Sequence, residues 1–236
     1  MLGLTFRATS LLAATAVAAL ALVAASKAAD EAVVIPAPAA DAAPVNSIQT
    51  AVLAGGCFWG VQGVFQHTVG VVSAVSGYAG GSRATADYQM VSTGTTGHAE
   101  SVQIKYDPKK ISYGKILQIF FSVVHDPTQL NRQGPDVGAQ YRSAIFTTSD
   151  GQARTANAYI TQLNDAHVYR KPIVTKVVAL DAFYPAEAYH QDYLTLHPTQ
   201  PYISYNDLPK VVNLKKLFAD DYIEQPNLVN AAKITH

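Results

Sequence analysis

The stretch TAVLAGGCFWGVQGVF, residues 50–65, contains the strand–turn–helix pattern from which the fold of this chain is predicted. Residues 50–54 are a short apolar run that two glycines end, which predicts a buried strand followed by a tight turn. Apolar residues then recur at helical spacing, at Phe58, Val61, Val64 and Phe65. The strand therefore leads directly into a helix, and Cys57 lies at the start of that helix.

The sequence outside this stretch predicts further strands and helices in a regular order. Further strands are predicted at residues 71–78, 100–106 and 142–148, and a helix that Ser112 caps at residues 112–124. The order strand–helix–strand–strand–helix–strand predicts an α+β, ferredoxin-like (split βαβ) two-layer sandwich. Additional C-terminal elements are predicted as a helix at 149–164, a strand at 173–180, a helix at 186–196 and a helical patch at 213–218.

The N-terminal part of the chain has the composition of an export signal. In residues 1–29, one basic residue precedes an apolar run at 11–26 and a small-residue exit. This run is short for a bilayer span of about 20 residues, so we expect a cleaved signal peptide, with an uncleaved anchor as the alternative. Residues 30–47, rich in alanine and proline, predict a flexible linker outside the core. We expect a folded domain at 48–206, a C-terminal extension at 207–236, and an exported protein, periplasmic or secreted, without stable membrane insertion after cleavage.

Composition excludes several classes of partner and cofactor. The formal net charge is zero and only 14% of residues are charged, so no basic surplus indicates a nucleic-acid partner. His125, His190 and His197 raise the question of a metal site or a Cys–His dyad. No HExxH or CxxC pattern accompanies them, so we predict no metal site. No phosphate-binding glycine pattern is present either.

Cys57 is the only cysteine of the 236 residues, so it forms no internal disulfide. The positive end of a helix dipole favours an anion, and a cysteine placed there is predicted to have a lowered pKa and to act as a nucleophile. A buried structural cysteine at a strand–helix joint stays an equal alternative on position alone. Phe58 and Trp59 beside it are either core residues of the helix or the wall of an apolar pocket.

Glu100 begins a strand whose residues alternate between two faces. It shares one face with apolar residues, at Val102, Ile104 and Tyr106. A carboxyl group on an apolar face is desolvated, which favours its protonated form and lets it donate a proton. The alternative is a frayed strand start where Glu100 faces water. Tyr88, Asp136 and Tyr141 lie in two long polar loops and are weak candidates when taken singly.

Several segments together resemble one known family. These are GCFWG at 56–60, TGHAE at 96–100, YDP at 106–108, HDPTQLNRQGPDVGAQYRSAIF at 125–146 and AEAYHQDYL at 186–194. They resemble the A-type methionine sulfoxide reductases, peptide-methionine (S)-S-oxide reductases, over roughly residues 49–206. The resemblance implies an α+β, ferredoxin-like core and a reductase domain at 48–206.

The resemblance also implies roles for individual residues. Cys57 matches the nucleophile of the family and Glu100 its proton donor. Substrate contacts are implied for five others: Tyr88 and Tyr141 on the sulfoxide oxygen, Phe58 and Trp59 on the methyl group, and Asp136 on the backbone amine. The implied substrates are oxidised proteins or free methionine sulfoxide.

The chain departs from many relatives because its C-terminal segment contains no cysteine to reduce the sulfenic acid left on Cys57. No bound cofactor is implied, and we expect an external thiol reductant, a thioredoxin-like protein or a low-molecular-weight thiol. Two other classes stay open: a cysteine hydrolase or acyl transferase, which needs a histidine beside Cys57, and a non-catalytic module that binds oxidised methionine.

Overall fold

A six-stranded sheet lies at the centre of the computed structural model, which describes residues 32–41 and 45–229. The strands are β1 (Gln49–Gly55), β2 (Val71–Ala79), β3 (Ala99–Tyr106), β4 (Arg132–Gln133), β5 (Asp136–Val137), β6 (Ser143–Thr147), β7 (Lys176–Ala179) and β8 (Phe183–Pro185). The sheet order is β7-β6-β1-β3-β2-β8, with β6 and β7 parallel and the other pairs antiparallel. Strands β4 and β5 form a separate antiparallel hairpin.

Helices complete a mixed α/β fold. They are α1 (Phe58–Gln66), α2 (Tyr88–Val91), α3 (Tyr113–Ile119), α4 (Asp150–Asp165), α5 (Tyr193–Leu196) and α6 (Leu208–Leu217). A π-helical turn, Phe120–Val124, continues α3, and another, Ile203–Asp207, leads into α6. Ser112 caps α3 through the Lys115 N–H, and Ser149 caps α4 through the Gln152 N–H, as their positions in the sequence predicted.

The predicted strands around residues 71–78, 100–106 and 142–148 are confirmed, and so are the helices that follow Cys57, Ser112 and Ser149. The single helix predicted at 186–196 is wrong. A 3₁₀ turn at Ala188–His190 and the short α5 stand there instead, separated by Gln191 and Asp192. Asp192 has a φ of 61°, and the left-handed backbone that this angle implies ends a right-handed helix.

The segment predicted as a linker packs on the domain where it is described, at residues 32–41. Ile35 is buried in the core, and its carbonyl oxygen accepts a hydrogen bond of 3.0 Å from Gln118 Nε2. The Tyr159 hydroxyl donates to the Pro36 carbonyl oxygen. Side chains of α3 and α4 therefore satisfy the backbone of this extended stretch, so the prediction that it lies outside the core is wrong for these residues.

The segment predicted as a C-terminal extension also joins the core. Helix α6 buries Val211 and Leu214 and packs against α1. The predicted signal peptide, residues 1–29, lies outside the described residues. Within the described ranges, no helix is both long and apolar enough to cross a membrane.

Candidate active site

Two glycines turn the chain from β1 into α1 and aim Cys57 at the start of the helix. Gly56 has a φ of 93°, which L side chains rarely adopt, and a Cβ there would lie 2.6 Å from Gln133 Cβ. A Cβ on Gly55 would lie 2.9 Å from Phe120 Cε2. Only glycine fits both positions, so the turn brings Cys57 to the N-cap of α1.

A cavity of about 200 Å³ opens at Cys57. Its lining residues come from six separate segments of the chain: Cys57, Phe58, Trp59, Tyr88, Glu100, Asp136, Tyr141 and Tyr202. The structure therefore brings together all seven site residues named from the sequence. Tyr202 is the addition, and no local pattern distinguishes it among 13 tyrosines.

The thiol of Cys57 is protonated in the resting site. Burial raises its pKa well above the usual value, Asp207 raises it further, and Glu100 adds to this effect when it is ionised. The backbone N–H of Trp59 acts in the opposite direction, as expected at a helix start, but it is outweighed. The prediction of a lowered pKa is therefore wrong, because burial and the negative charge of Asp207 exceed the effect of the helix end.

Glu100 is a buried acid, as the alternation of β3 predicted. Its side chain is 3% exposed, and its Oε2 accepts a hydrogen bond of 3.0 Å from the Phe58 N–H. Burial raises the pKa of Glu100 to about 8 although this hydrogen bond lowers it. The group is mainly protonated at neutral pH and has a proton to donate.

Three phenols surround the cavity with hydroxyl donors. Burial raises the pKa of Tyr88, Tyr141 and Tyr202, so all three keep their protons at neutral pH. The Tyr202 hydroxyl donates a hydrogen bond to Asp136 Oδ2. Burial raises the pKa of Asp136, and this hydrogen bond lowers it.

Aromatic rings form one wall. Trp59 stacks on Tyr193 with ring centroids 3.9 Å apart, and its Nε1–H donates to His190 Nδ1 at 3.2 Å. Phe58 is buried and also lines the cavity, so the core interpretation and the pocket interpretation both hold for it. His190 accepts the hydrogen bond from Trp59 and is not among the cavity-lining residues. The lining therefore contains no histidine that could act as a base beside Cys57.

Two charged residues hold the loops that carry the site. Glu187 accepts hydrogen bonds from the Tyr88 N–H at 2.9 Å and from the Tyr78 hydroxyl at 2.8 Å. Arg142 donates to the carbonyl oxygens of Gly97 and His98, immediately before β3. Neither role is predictable from local sequence patterns, because each residue links positions more than 40 residues apart. Across the described part of the chain, no group of three or more His, Cys, Asp or Glu residues is placed to hold a metal ion.

A thiol, a protonated carboxyl group and three phenols around one aromatic-walled cavity indicate a class of protein: a cysteine-dependent enzyme with proton donors in the same site. Comparison with known proteins narrows this class. Residues 49–222 match the family described as peptide methionine sulfoxide reductase. The chain belongs to this family and is an oxidoreductase.

Individual relatives agree with this assignment. The chain is 62% identical to peptide methionine sulfoxide reductase MsrA 2 of Mesorhizobium japonicum, over 78% of this chain and 94% of the relative. It is 52% identical to MsrA 2 of a Synechocystis species, over 73% of this chain and 80% of the relative.

Solved structures resemble the fold. The reduced form of Mxr1 from Saccharomyces cerevisiae aligns with a TM-score of 0.59 at 33% identity, covering 65% of this chain and 87% of that one. Methionine sulfoxide reductase A of Corynebacterium diphtheriae aligns with a TM-score of 0.56 at 36% identity, covering 65% and 76%.

Proposed function

We propose that this enzyme reduces methionine-(S)-sulfoxide, free or in proteins, to methionine through a sulfenic acid on Cys57. One observation carries the proposal: the Cys57 thiol and the buried acid Glu100 line the same cavity. A nucleophile for sulfur and a proton donor for oxygen are the two groups that removal of a sulfoxide oxygen requires.

The chemistry balances with the protons that the resting site holds. The sulfur of Cys57 attacks the sulfoxide sulfur while Glu100 protonates the oxygen, and the thiol proton replaces the one that Glu100 gives. The attack forms a transient bond between the two sulfur atoms. The hydroxyl oxygen then passes to the Cys57 sulfur, and both this sulfur–sulfur bond and the sulfur–oxygen bond of the substrate break, so that in net terms a Cys57–oxygen bond replaces the substrate's sulfur–oxygen bond. Methionine leaves reduced by two electrons, and Cys57 becomes a sulfenic acid, oxidised by two. Tyr88 and Tyr141 donate hydrogen bonds to the oxygen as negative charge builds there.

Substrate is held by the wall and the loop residues. Phe58 and Trp59 enclose the methyl group, as the family resemblance implies, and the stack of Trp59 on Tyr193 fixes the indole ring. Asp136 binds the backbone amine, with its carboxylate oriented by Tyr202. The resulting pocket recognises a methyl sulfoxide and a neighbouring amine.

Recycling needs thiols from outside the chain, since Cys57 is its only cysteine. A first external thiol condenses with the sulfenic acid, releasing water and forming a mixed disulfide. A second thiol attacks that disulfide and frees Cys57. The reductant is a thioredoxin-like protein or a low-molecular-weight thiol, and no bound cofactor takes part.

The fold class and the destination of the protein are further parts of the proposal. The spatial order β6-β1-β3-β2, with one helix after β1 and one after β3, supports a ferredoxin-like core to which β7, β8 and the later helices are added. The composition of residues 1–29 supports export to the periplasm or the medium, where the enzyme repairs oxidised proteins under oxidative stress. The mature N-terminus, sequenced from fractionated cells, tests export; a full-length cytosolic protein would contradict it.

Single-turnover chemistry tests the activity. Without reductant, we expect one equivalent of methionine per enzyme and a dimedone adduct on Cys57 by mass spectrometry. With dithiothreitol, we expect repeated turnover of the S epimer alone, and none in Cys57→Ser. Ester hydrolysis without sulfoxide reduction would indicate a hydrolase instead. Sulfoxide binding with the thiol untouched would indicate a non-catalytic binding module.

A further inference from the structure

A buried ion pair lies against the helix that begins after Cys57. Lys210 Nζ is 3.0 Å from Asp207 Oδ1, at the start of α6. The side chain of Asp207 is fully buried, and that of Lys210 is 14% exposed. Burying two charges costs free energy that their mutual attraction does not always offset, so a buried pair is weak evidence of a purely stabilising role.

Gly60 admits this pair to the start of α1. Gly60 lies in the first turn of α1, three residues after Cys57. A Cβ at this position would collide with Asp207 Oδ1 and lie 2.8 Å from Lys210 Nζ. Any other residue would push both charged groups away from the turn that Cys57 caps. The second glycine of the GCFWG motif therefore has a specific structural consequence.

The pair is part of a ring of titratable groups around Cys57. The carboxyl groups are those of Glu100 on β3, Asp136 on β5 and Asp207 in the turn before α6, and the ammonium group is that of Lys210 on α6. Three phenols and two neutral imidazoles complete the ring: Tyr88, Tyr141, Tyr202, His125 and His190. Burial has the largest influence on the pKa of Cys57. Among the charges, Asp207 raises that pKa more than Glu100 does, and Lys210 lowers it.

We propose that the Asp207–Lys210 pair, admitted by Gly60, is a positioning pair that sets how readily Cys57 gives up its thiol proton. Asp207 keeps the proton on the resting thiol, and Lys210 limits this effect so that the proton leaves when the sulfoxide oxygen accepts one. Because the thiolate is the form that oxidants attack, a protonated Cys57 is spared from peroxide between turnovers. This inference rests on the proposed function only in taking Cys57 as the reacting group.

The test is the pH dependence of Cys57 alkylation by iodoacetamide, in which the single cysteine supplies the whole signal. We compare wild type, Asp207→Asn, and the double variant Asp207→Asn/Lys210→Gln. The midpoint should be highest in wild type, intermediate in the uncharged double variant, and lowest in Asp207→Asn, which removes the negative charge and keeps the positive charge of Lys210. At neutral pH, Asp207→Asn should alkylate about tenfold faster than wild type, which corresponds to a midpoint about one pH unit lower.

A matched control comes from the same helix. Lys215→Gln breaks the exposed pair that Lys215 forms with Glu224, and it should leave the midpoint at the wild-type value. A general loosening of the site would raise alkylation in the single and double variants alike, without the expected order. An unchanged midpoint in folded Asp207→Asn would overturn the proposal. If that variant does not fold, the double variant decides alone, and a wild-type midpoint there overturns it.

The titration contains no sulfoxide, so its result is independent of reductase activity. Midpoints in the expected order in an enzyme that fails to reduce sulfoxides would contradict the proposed function and leave the role of the pair standing. If the enzyme reduces sulfoxides but its variants keep the wild-type midpoint, the role of the pair is contradicted and the proposed function stands.

Discussion

The backbone N–H of Phe58 donates a hydrogen bond of 3.0 Å to Oε2 of Glu100, across 42 residues of sequence. This contact joins the first turn of α1 to the start of β3 and holds the carboxyl group beside the helix that Cys57 caps. Burial still dominates, and the pKa of Glu100 rises to about 8. A protonated carboxyl group and a thiol are thereby held in one site by a hydrogen bond between the backbone of α1 and a side chain of β3.

Replacing Glu100 by Gln should slow sulfoxide reduction by a factor of about 10² to 10⁴, the usual contribution of a positioned general acid. The amide keeps the shape and accepts the Phe58 N–H, but it has no acidic proton. The measurement is kcat with dithiothreitol as reductant, with circular dichroism to show an intact fold. Glu224→Gln, an exposed carboxylate, serves as the control. A rate equal to wild type in folded Glu100→Gln would remove Glu100 from the mechanism.

The raised pKa of Glu100 also predicts a pH dependence of stability. The folded state keeps a proton on this carboxyl group up to about pH 8. The unfolded chain releases the proton near the ordinary pKa of glutamate, about 4.3. Stability therefore falls as pH rises through this window, by at most about 1.4 kcal/mol per pH unit.

The comparison of wild type with Glu100→Gln isolates this effect. Urea denaturation at several pH values should show wild type losing stability relative to the variant as pH increases from about 4.3 to about 8, the upper limit being the folded-state pKa. The difference should level off above that range. A difference that does not change with pH would mean that Glu100 is not protonated in the folded protein.

Tyr202 and Asp136 should act on substrate binding through one shared hydrogen bond. We expect Tyr202→Phe and Asp136→Asn each to raise KM about tenfold, since a hydrogen bond to a charged group contributes about 1.5 to 3 kcal/mol. The double variant should lose little more than either single variant, because both remove the same interaction.

Tyr205→Phe is the matched control for that cycle, because Tyr205 lies in the same turn and is largely exposed. It should leave KM unchanged. Fully additive effects of the Tyr202 and Asp136 substitutions would show that the two residues act independently and that Tyr202 does not orient the carboxylate.

The N-terminal stretch that packs on α3 and α4 should contribute to stability. Ile35→Ala removes a side chain that is 6% exposed, so the free energy of unfolding should fall by about 2 to 5 kcal/mol. The neighbouring Val34 is 80% exposed, and Val34→Ala should change that free energy by less than about 0.5 kcal/mol. Equal effects of the two substitutions in urea denaturation would show that this stretch does not pack as described.

Much of the sheet and several of the site residues were accessible from the sequence, because their signals are local. Alternation along β3 placed Glu100 on the buried face, and helical spacing after Cys57 located α1. The packing of residues 32–41 was missed because it depends on side chains of α3 and α4 that lie far away in sequence. Tyr202 was missed for the same reason, since only the fold brings it to Asp136.

The sequence by itself determined the strand–turn–helix that presents Cys57, the buried face that carries Glu100, and the lack of a second cysteine in this sequence, because periodicity, glycine geometry and a cysteine count can all be read from the sequence. Only the tertiary structure decided the protonation of Cys57. A helix start alone favours the thiolate, but the thiol is buried, and folding brings Glu100 and Asp207 close to it from distant parts of the chain. Desolvation and long-range charge depend on which segments meet, and that information appears only when the chain is folded.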